Sequence, residues 1–433
     1  MLTKKSILYI DFGASRIKWL VSSGATDLKS GNISNDYIVG SNNTEIDIIK
    51  LIKKIKRLIY SALDSWNISK VLFSSQMHGY VLTDVSDRIL TNFITWKDQR
   101  LIRNDKELYS EVLSNIQRDF QNITGMSLKS GLPFFNSIKS ILDLGIKECK
   151  LLSLPELLLQ SFGIKVPAVH STMAAGQGFY DLNFQCYSEK LIDIHSSFSK
   201  CKISFNTVEN SNKFYEVNIK SSKVLFCIGF GDHQCATLGS QKSKNDIYLN
   251  LGTGSQVSII NSEFKIFSDD NIIQCRPYYN NDYLSCVTHI PSGRVLNLFI
   301  SIFGNESWNI IEKFHIDEII NSDLKMDLNV FEDSYLFKNF GRISNINEEN
   351  FNKKGILKAL MKSYLNQYYD LIQKFENKFQ KKFSNVILSG GIPKKLPFIK
   401  DFFKLMTDKN VIIINPDYII DDTIIGLKKI NNL

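Results

Sequence analysis

Two stretches far apart in the chain share one pattern, and this repeat constrains the fold most strongly. Residues 7–21 read ILYIDFGASRIKWLV, and residues 247–260 read IYLNLGTGSQVSII. Each is an apolar strand, a polar residue, a turn of small residues and a second, partly apolar strand. The alignment pairs Asp11 with Asn250, Gly13 with Gly252 and Ala14 with Thr253. Such repetition predicts two related domains, although short apolar-then-glycine patterns also arise by chance.

An acid and a glycine turn stand at the ends of successive apolar runs. Asp232 follows the run that begins at Leu225, and Gly252-Thr253-Gly254 follows the next one. Because glycine lacks Cβ, such a turn brings backbone N–H groups close to a phosphate. A nearby carboxylate can then take the proton of the hydroxyl that attacks this phosphate, which a metal ion also holds. The alternative is that Asp232 caps a helix and the glycines only make a turn.

Length and the order of elements define the fold class. A chain of 433 residues predicts two domains, which we place at residues 1–242 and 243–433. Strand patterns alternate with helical patterns in both halves, which indicates an α/β fold.

Individual elements follow from local patterns. Thr44 is predicted to cap a helix that runs to about Trp66, because apolar residues keep helical spacing along one face. Residues 101–165 are predicted to be mostly helical, and the polar residues 203–217 are predicted to loop over the surface. In the second half, strands are expected near residues 247–260, 283–288 and 386–388, and helices near residues 294–304, 355–380 and 397–407.

Charge and cysteine content exclude several classes of protein. The net charge of +8 is mild, and short lysine runs within helical patterns indicate solvated faces rather than a nucleic-acid surface. Seven cysteines without a Cys-x-x-Cys pair indicate a reduced protein rather than a disulfide or zinc scaffold. Neither a signal peptide nor a membrane span of roughly 18 apolar residues is expected. We therefore predict a cytoplasmic monomer or homodimer without nucleic-acid or membrane partners.

Polar and aromatic side chains in the first half leave successive strand ends, where ligands bind in α/β sheets. Met77 and His78 follow the apolar strand Val71-Leu72-Phe73, and Trp96 and Asp98 follow the next strand pattern. Together they predict a sugar pocket with one apolar wall and several hydrogen-bonding groups. Taken singly, a tryptophan is more often part of a core, and a histidine is more often satisfied within the protein.

Six short motifs, in this order, resemble the FGGY family of carbohydrate kinases, and the resemblance covers almost the whole chain. They are Asp11-Phe12-Gly13-Ala14-Ser15-Arg16-Ile17-Lys18, Gln76-Met77-His78-Gly79, Trp96-Lys97-Asp98-Gln99-Arg100, Gly231-Asp232-His233-Gln234, Gly252-Thr253-Gly254 and Ser389-Gly390-Gly391. The resemblance implies two ribonuclease-H-like domains of the actin and Hsp70 type, with ATP in the cleft.

The resemblance also implies a role for each candidate residue. Asp232 would be the general base, and Asp11 would position Mg²⁺, largely through water. The sugar site would consist of Met77, His78, Trp96, Asp98 and Asp232. The ATP site would consist of Gly13, Ser15, Lys18, Gly252, Thr253, Gly293, Gly390 and Gly391.

The pair Met77-His78 narrows the range of expected sugar substrates, because glycerol kinases carry an Arg-Glu pair at this position. It is similar to xylulose and sedoheptulose kinases, and Gly231-Asp232-His233-Gln234-Cys235 looks most similar to sedoheptulokinase. We therefore predict ATP-dependent phosphorylation of a ketose such as sedoheptulose, with a xylulose or ribulose kinase as the alternative. Ala14-Ser15-Arg16 departs from the family's first phosphate turn, which leaves open a regulator that binds sugar or nucleotide without turnover. A chaperone- or actin-like ATPase would not need the sugar cluster.

Overall fold

The structure is a computed structural model, and it describes residues 5–40, 43–117, 119–220, 222–252, 254–267, 269–331, 341–414 and 421–433. The chain divides into two compact units. The first comprises Met1–Gly239, Ser262–Leu284 and Ile419–Leu433, and the second comprises Ser240–Asn261 and Ser285–Tyr418. Residues 262–284 and 419–433 follow the single predicted boundary after residue 242, so the predicted and observed divisions differ there. The functional domains stay a prediction.

A mixed sheet forms the centre of the first unit. In spatial order its strands are Phe214–Ile219, Ser222–Cys227, Ile68–Ser75, Ser6–Phe12, Arg16–Ser23 and Thr26–Ser34, and Phe230–Gly231 also pairs with Ile68–Ser75. Ile68–Ser75 is parallel to Ser6–Phe12, Ser222–Cys227 and Phe230–Gly231. The hairpin that begins the chain is antiparallel.

Helices and shorter strands surround this sheet. The helices are Ile48–Ser65, Arg100–Asn104, Lys106–Ile116, Phe120–Thr124, Pro133–Leu144, Leu154–Ser161, Ser171–Ala174, Glu189–Ser199, Asp232–Ser240 and Asp422–Ile430. The shorter strands are Tyr37–Val39, Thr44–Ile46, Val81–Thr83, Phe93–Ile94, Glu148–Leu152, Val169–His170, Tyr180–Asp181, Cys186–Tyr187, Lys202–Ser204 and Val208–Glu209.

The predicted first helix is present, but its predicted cap was wrong. Thr44 lies in the strand Thr44–Ile46, and Asp47 caps Ile48–Ser65 by accepting a hydrogen bond from the Lys50 amide at 3.0 Å. An aspartate oxygen at this position satisfies one of the amides that a helix start leaves unpaired. The apolar face predicted from the spacing is buried in the core of the unit.

The prediction of a surface loop over residues 203–217 was also wrong. Phe214–Ile219 forms a strand paired antiparallel with Ser222–Cys227 at the margin of the central sheet. Its exposed face carries the polar residues that suggested a loop, whereas Val217 and Ile219 point into the core. An edge strand that is solvated on one side has this alternating composition.

Backbone contacts explain why two later segments belong to the first unit. The Cys275 amide donates to the Gly125 carbonyl at 2.8 Å, and the Ser127 hydroxyl donates to the Asn271 carbonyl at 2.5 Å. The helix Asp422–Ile430 lies against Asp232–Ser240, where a Cβ on Gly426 would meet a backbone oxygen at 1.9 Å. Only glycine allows two helix backbones to approach this closely.

The second unit repeats the strand arrangement of the first. The order of its central strands is Tyr283–Ile290, Ser255–Asn261, Asp246–Leu251, Asn385–Ser389 and Asn410–Ile413. Asp246–Leu251 is antiparallel to the strand that follows its glycine turn and parallel to Asn385–Ser389 on its other side. Ser6–Phe12 has the same two kinds of neighbour. The repeated sequence pattern therefore corresponds to a repeated structure.

The remaining elements of the second unit cover this sheet. Its helices are Ser292–Phe303, Ser307–Ile311, Ile316–Ile320, Lys353–Phe379, Gly391–Lys395 and Phe398–Thr407, and Lys325–Asp327 pairs with Arg342–Ser344. The strands and longer helices predicted in this half are all present. Across the described ranges, no helix has the length and apolar character needed to cross a membrane.

Two buried histidines make the stability of the first unit depend on pH. His195 lies between the rings of Phe134 and Phe179, at centroid distances of 5.6 and 5.1 Å, with Nε2 2.8 Å from Ser137 Oγ. Burial lowers the pKa of His195 and of His170 to about 3. Both imidazoles are therefore neutral in the folded protein at pH values that protonate them in the unfolded chain.

We expect the free energy of unfolding to fall as the pH drops from about 6.5 towards 3, because only the unfolded chain then binds these protons. Each such histidine contributes a slope of about 1.4 kcal/mol per pH unit. Urea denaturation at pH 7 and at pH 5 gives the free energy of unfolding at each pH. This free energy should depend less on pH in His195→Leu than in the wild type. Ser137→Ala loses the hydrogen bond but keeps the imidazole, so it should retain the wild-type slope. An unchanged slope in His195→Leu would contradict the prediction.

Candidate functional site

Three parallel strands of the first unit end side by side and bring the predicted acids to one edge of the sheet. Asp11 lies opposite Ser74 in the strand register, and Phe230 lies opposite Ser74 on the other side. Met77 follows the central strand, and Asp232 follows the third strand directly. The carboxyl ends of parallel strands are where open α/β sheets bind ligands.

The Asp11 carboxylate is buried and lies in a negative environment. Its Oδ1 accepts a hydrogen bond from the Ser74 hydroxyl at 2.8 Å. Burial, together with the negative charges of Asp421 and Asp232, raises the pKa of Asp11 to about 8, against the opposing charge of Lys18. A divalent cation would offset this excess of negative charge, so the residues present fit the predicted Mg²⁺. Within the described ranges, no group of three or more His, Cys, Asp or Glu side chains could hold a metal by itself.

Lys18 contacts an acid that sequence patterns did not single out as a site residue. Its ammonium donates to the Asp421 carboxylate, which also caps the helix Asp422–Ile430 through the Thr423 amide at 3.0 Å. Burial alone would raise the pKa of Asp421, but the ion pair with Lys18 lowers it overall. Lys18 also faces Asp11 across the first hairpin. The Lys18 ammonium is therefore held beside the buried Asp11 carboxylate.

Close packing fixes the position of Asp232. The preceding Gly231 donates its amide to Thr172 Oγ1 at 3.0 Å, and a Cβ at this glycine would lie 3.1 Å from Met77 Cγ. Asp232 begins a helix, and its Oδ1 accepts a hydrogen bond from the His233 amide at 2.8 Å. Asp232 is therefore the first residue of a helix rather than its preceding cap, and this position is compatible with a chemical role at the same edge.

Desolvation raises the pKa of Asp232 to about 6, although the His233 amide and the positive charge of Arg276 lower it. At neutral pH the carboxylate is therefore ionised but more basic than an exposed aspartate. These are the properties of a general base that works near pH 7.

Met77 and His78 form a second cluster next to this acid. His78 Nδ1 lies 2.7 Å from the Gly176 carbonyl, which can only accept, so this nitrogen carries the proton. Desolvation and the charge of Arg276 lower the pKa of His78 to about 3, so the ring is neutral and Nε2 is a hydrogen-bond acceptor. Met77 is buried, and a Cβ on Gly176 would lie 2.5 Å from its carbonyl oxygen. This glycine allows the two segments to touch.

Arg276 belongs to the same cluster and was not among the predicted site residues. It is 3% exposed, its Nη1 lies 3.5 Å from Met77 Sδ, and its Nη2 donates to Gln274 Oε1 at 3.0 Å. Its charge acts on His78, Asp232 and His233. The sequence signal that could have found it is a single charged residue within the otherwise uncharged run Ile272-Ile273-Gln274-Cys275-Arg276-Pro277-Tyr278.

Trp96 and Asp98 occupy different environments. Trp96 is half-buried, with the Lys97 ammonium 5.8 Å from its ring centroid. Asp98 is fully buried, and both carboxylate oxygens accept hydrogen bonds from Arg100, at 2.9 Å each. Its Oδ2 also accepts from the Thr44 amide at 2.7 Å. Because these donors occupy its lone pairs, the geometry favours a positioning role for Asp98 over direct contact with a ligand.

The turn at Gly13 presents its carbonyl groups to neighbouring side chains. Asn35 Nδ2 donates to the Gly13 and Ala14 carbonyls at 2.9 and 3.1 Å, and the Tyr37 hydroxyl also donates to Ala14. A Cβ at Gly13 would lie 3.3 Å from Asp11 Oδ2. Ser15 is exposed at the tip of the turn. The turn is therefore anchored through its carbonyls and adjoins the buried acid.

The second unit gathers most of its predicted glycines around Leu251. The Gly252 carbonyl accepts from the Gly293 amide at 2.9 Å. Gly390 has φ +94°, and a Cβ there would lie 2.3 Å from the Leu251 carbonyl oxygen, so only glycine fits. Gly391 begins the next helix and has nothing described within 4 Å of a built Cβ. Thr253, also predicted to bind ATP, lies outside the described residues.

Comparison with known proteins provides an independent test. The sequence matches the FGGY family of carbohydrate kinases, N-terminal domain, over residues 6–239. No curated protein sequence matches the chain.

Solved structures resemble the whole chain. A ligand-bound xylulose kinase from Lactobacillus acidophilus has a TM-score of 0.82 at 17% identity, and a gluconate kinase from the same organism has 0.80 at 18%. A Plasmodium falciparum glycerol kinase with ADP has 0.81 at 16%. Each similarity covers 99% of this chain and 89% of the other. At these identities the likeness establishes the fold, and the predicted two-domain α/β fold is confirmed.

Substitutions at the neighbouring Gly390 and Gly391 can distinguish an effect on nucleotide binding from an effect on folding. Gly391→Val should fold normally, because no described atom lies within 4 Å of its Cβ. It should raise KM for ATP by roughly tenfold or more if the nucleotide lies there, and leave sugar affinity unchanged. Gly390→Ala, strained in φ and in contact with Leu251, should lower the melting temperature instead. Wild-type KM for ATP in a folded Gly391→Val protein would remove Gly391 from the site.

Proposed function

The chain belongs to the FGGY family of carbohydrate kinases, and we propose that it transfers the γ-phosphate of ATP to a hydroxyl of a ketose. Sedoheptulose is one candidate, from the motif around Asp232. Xylulose or ribulose is an equal candidate, because xylulose kinases are among the structurally similar proteins. That the chain is a sugar kinase follows from the family, whereas the choice of sugar is our inference.

The pairing of Met77 with a neutral His78 carries the proposal. Nδ1 of His78 donates to Gly176, so Nε2 can accept a hydrogen bond from a sugar hydroxyl. Met77 adds an apolar surface beside it. This combination suits the hydroxyl and carbon framework of a ketose, whereas the Arg-Glu pair of glycerol kinases offers charge to a small polyol. Trp96 would contribute a further apolar wall, and Asp98 would hold Arg100 in place.

Asp232 is proposed as the general base. With a pKa of about 6 it is ionised at neutral pH and can accept the proton of the attacking sugar hydroxyl. The hydroxyl oxygen forms a bond to the γ-phosphorus, the bond from phosphorus to the bridging oxygen breaks, and ADP leaves. Phosphoryl transfer of this kind depends mainly on positioning and charge stabilisation.

The candidate ATP-binding residues are those that the family resemblance assigns. Gly13, Ser15 and Lys18 are the candidates from the first unit, and Gly252, Gly293, Gly390 and Gly391 are those from the second. Thr253 stays a prediction. Mg²⁺ at Asp11, when bound, would neutralise phosphate charge. The altered turn at Ala14 is the one observation that favours a regulator without turnover, since it lacks a hydroxyl common in the family.

A coupled ADP-release assay over ketoses, polyols and aldoses tests the proposal directly. We expect sedoheptulose, xylulose or ribulose to have the highest kcat/KM, well ahead of glycerol. Equal turnover of glycerol and every ketose would refute the ketose assignment. Saturable sugar binding without ADP release from any member of the panel would instead identify the regulator.

Asp232→Asn should remove the base while keeping the shape of the side chain. We expect kcat to fall by roughly 10²–10⁴-fold, with sugar affinity changed by no more than a few-fold. Asp193→Asn makes the same chemical change on an exposed helix surface and should behave as wild type. Near-complete turnover by Asp232→Asn would show that another group accepts the proton.

His78→Ala should weaken sugar recognition and spare the nucleotide. Losing a buried hydrogen-bond partner costs roughly 1–3 kcal/mol, so kcat/KM for the best sugar should fall by about 5- to 150-fold. KM for ATP should not change. The exposed His315 provides the control, as His315→Ala. An unchanged kcat/KM for the sugar in His78→Ala would count against this site.

A further inference from the structure

Arg276 is a buried cation that has no counterion in direct contact among the described residues. Across the residues that the structure describes, no carboxylate forms an ion pair with it, and its buried Nε has no hydrogen-bond partner. Its other donors reach a neutral amide on Gln274 and the sulfur of Met77. A thioether is a weak acceptor for a guanidinium. A desolvated charge with such poor partners destabilises the folded protein, so a structural role alone explains it badly.

The position of Arg276 makes it complementary to His78. The guanidinium contacts Met77, the residue that precedes His78, and its charge acts on His78 and on Asp232. Arg276 can only donate hydrogen bonds, whereas Nε2 of His78 accepts them. One donor and one acceptor at neighbouring positions match a hydroxyl beside a carbonyl oxygen. The C1 hydroxyl and C2 carbonyl of an open-chain ketose present this pair, and its anomeric form presents two adjacent oxygens.

We propose that Arg276 is a substrate-binding residue that donates a hydrogen bond to the C2 oxygen of the ketose while His78 accepts from the neighbouring hydroxyl. The proposal rests on the function proposed above and identifies the residue that distinguishes a ketose from the corresponding polyol. A polyol has no carbonyl oxygen at C2, so it offers Arg276 a poorer acceptor. The buried charge then acquires its partner only when the sugar binds.

The test compares a ketose with the polyol obtained by reducing its carbonyl, such as xylulose and xylitol. Arg276→Met removes the charge and all donors while keeping a long unbranched side chain. Arg276→Lys keeps the charge without the planar fork. Arg57→Met makes the same change at an exposed helix position and controls for loss of an arginine. The measurements are kcat/KM for both acceptors, KM for ATP, ketose affinity without nucleotide, and thermal unfolding.

We expect Arg276→Met to lose ketose affinity by about 10- to 100-fold, the scale of a hydrogen bond to a charged group, with an unchanged KM for ATP. The ratio of kcat/KM for ketose over polyol should fall towards one, and Arg276→Lys should lie between. If Arg276→Met does not fold, Arg276→Lys alone still has to lower the ratio.

A wild-type ratio in these variants, or an equal loss for ketose and polyol, would overturn the proposal. The proposed function can fail separately. If the wild type binds ketoses but turns over none, the titrations without nucleotide still decide the role of Arg276. If the wild type binds no ketose at all, both proposals fall.

Discussion

The parallel pairing of three strands is the constraint on which the candidate site depends. Ser6–Phe12 and Phe230–Gly231 flank Ile68–Ser75, and the register sets Asp11, Ser74 and Phe230 at one level. The residues that follow each strand therefore lie at the same edge of the sheet. The acid that would hold a cation and the acid that would take a proton come from positions more than 200 residues apart, yet ladder hydrogen bonds fix both. A slip of one residue would turn these side chains to the opposite face.

Burial of charge distinguishes the roles of the acids around this edge. Asp11 is the more strongly perturbed, with a pKa of about 8, because burial and, in addition, the negative charges of Asp421 and Asp232 favour its neutral form. Asp232 stays near 6, since the His233 amide and Arg276 support its ionised form. Asp421 is held ionised by Lys18. Environments that separate the pKa values of neighbouring acids are how one site accommodates both a cation-binding group and a base.

Local sequence patterns predicted those helices and strands whose periodicity or apolar character is visible in the sequence. The long helix Lys353–Phe379 and the strand Asn385–Ser389 were predictable, because helical periodicity and an apolar run are visible in sequence. Phe214–Ile219 was missed, since an edge strand solvated on one side resembles a polar loop. The ion pair of Lys18 with Asp421 spans 403 positions and has no local signature. The weak hydrogen-bond partners of Arg276 likewise depend on tertiary packing and have no local signature. The roles assigned to the site residues stay predictions.

The helix Asp422–Ile430 has a consequence for the order of assembly during synthesis. It lies against Asp232–Ser240 at glycine contacts and supplies the partner of Lys18, although the entire second unit separates it from both in the chain. The ribosome produces it after the second unit, at about 5–20 residues per second. Until this helix emerges, Ser6–Phe12, Arg16–Ser23 and Ile68–Ser75 lack the contacts that it makes with them in the folded protein. A nascent chain of this kind exposes an unfinished surface that chaperones could shield.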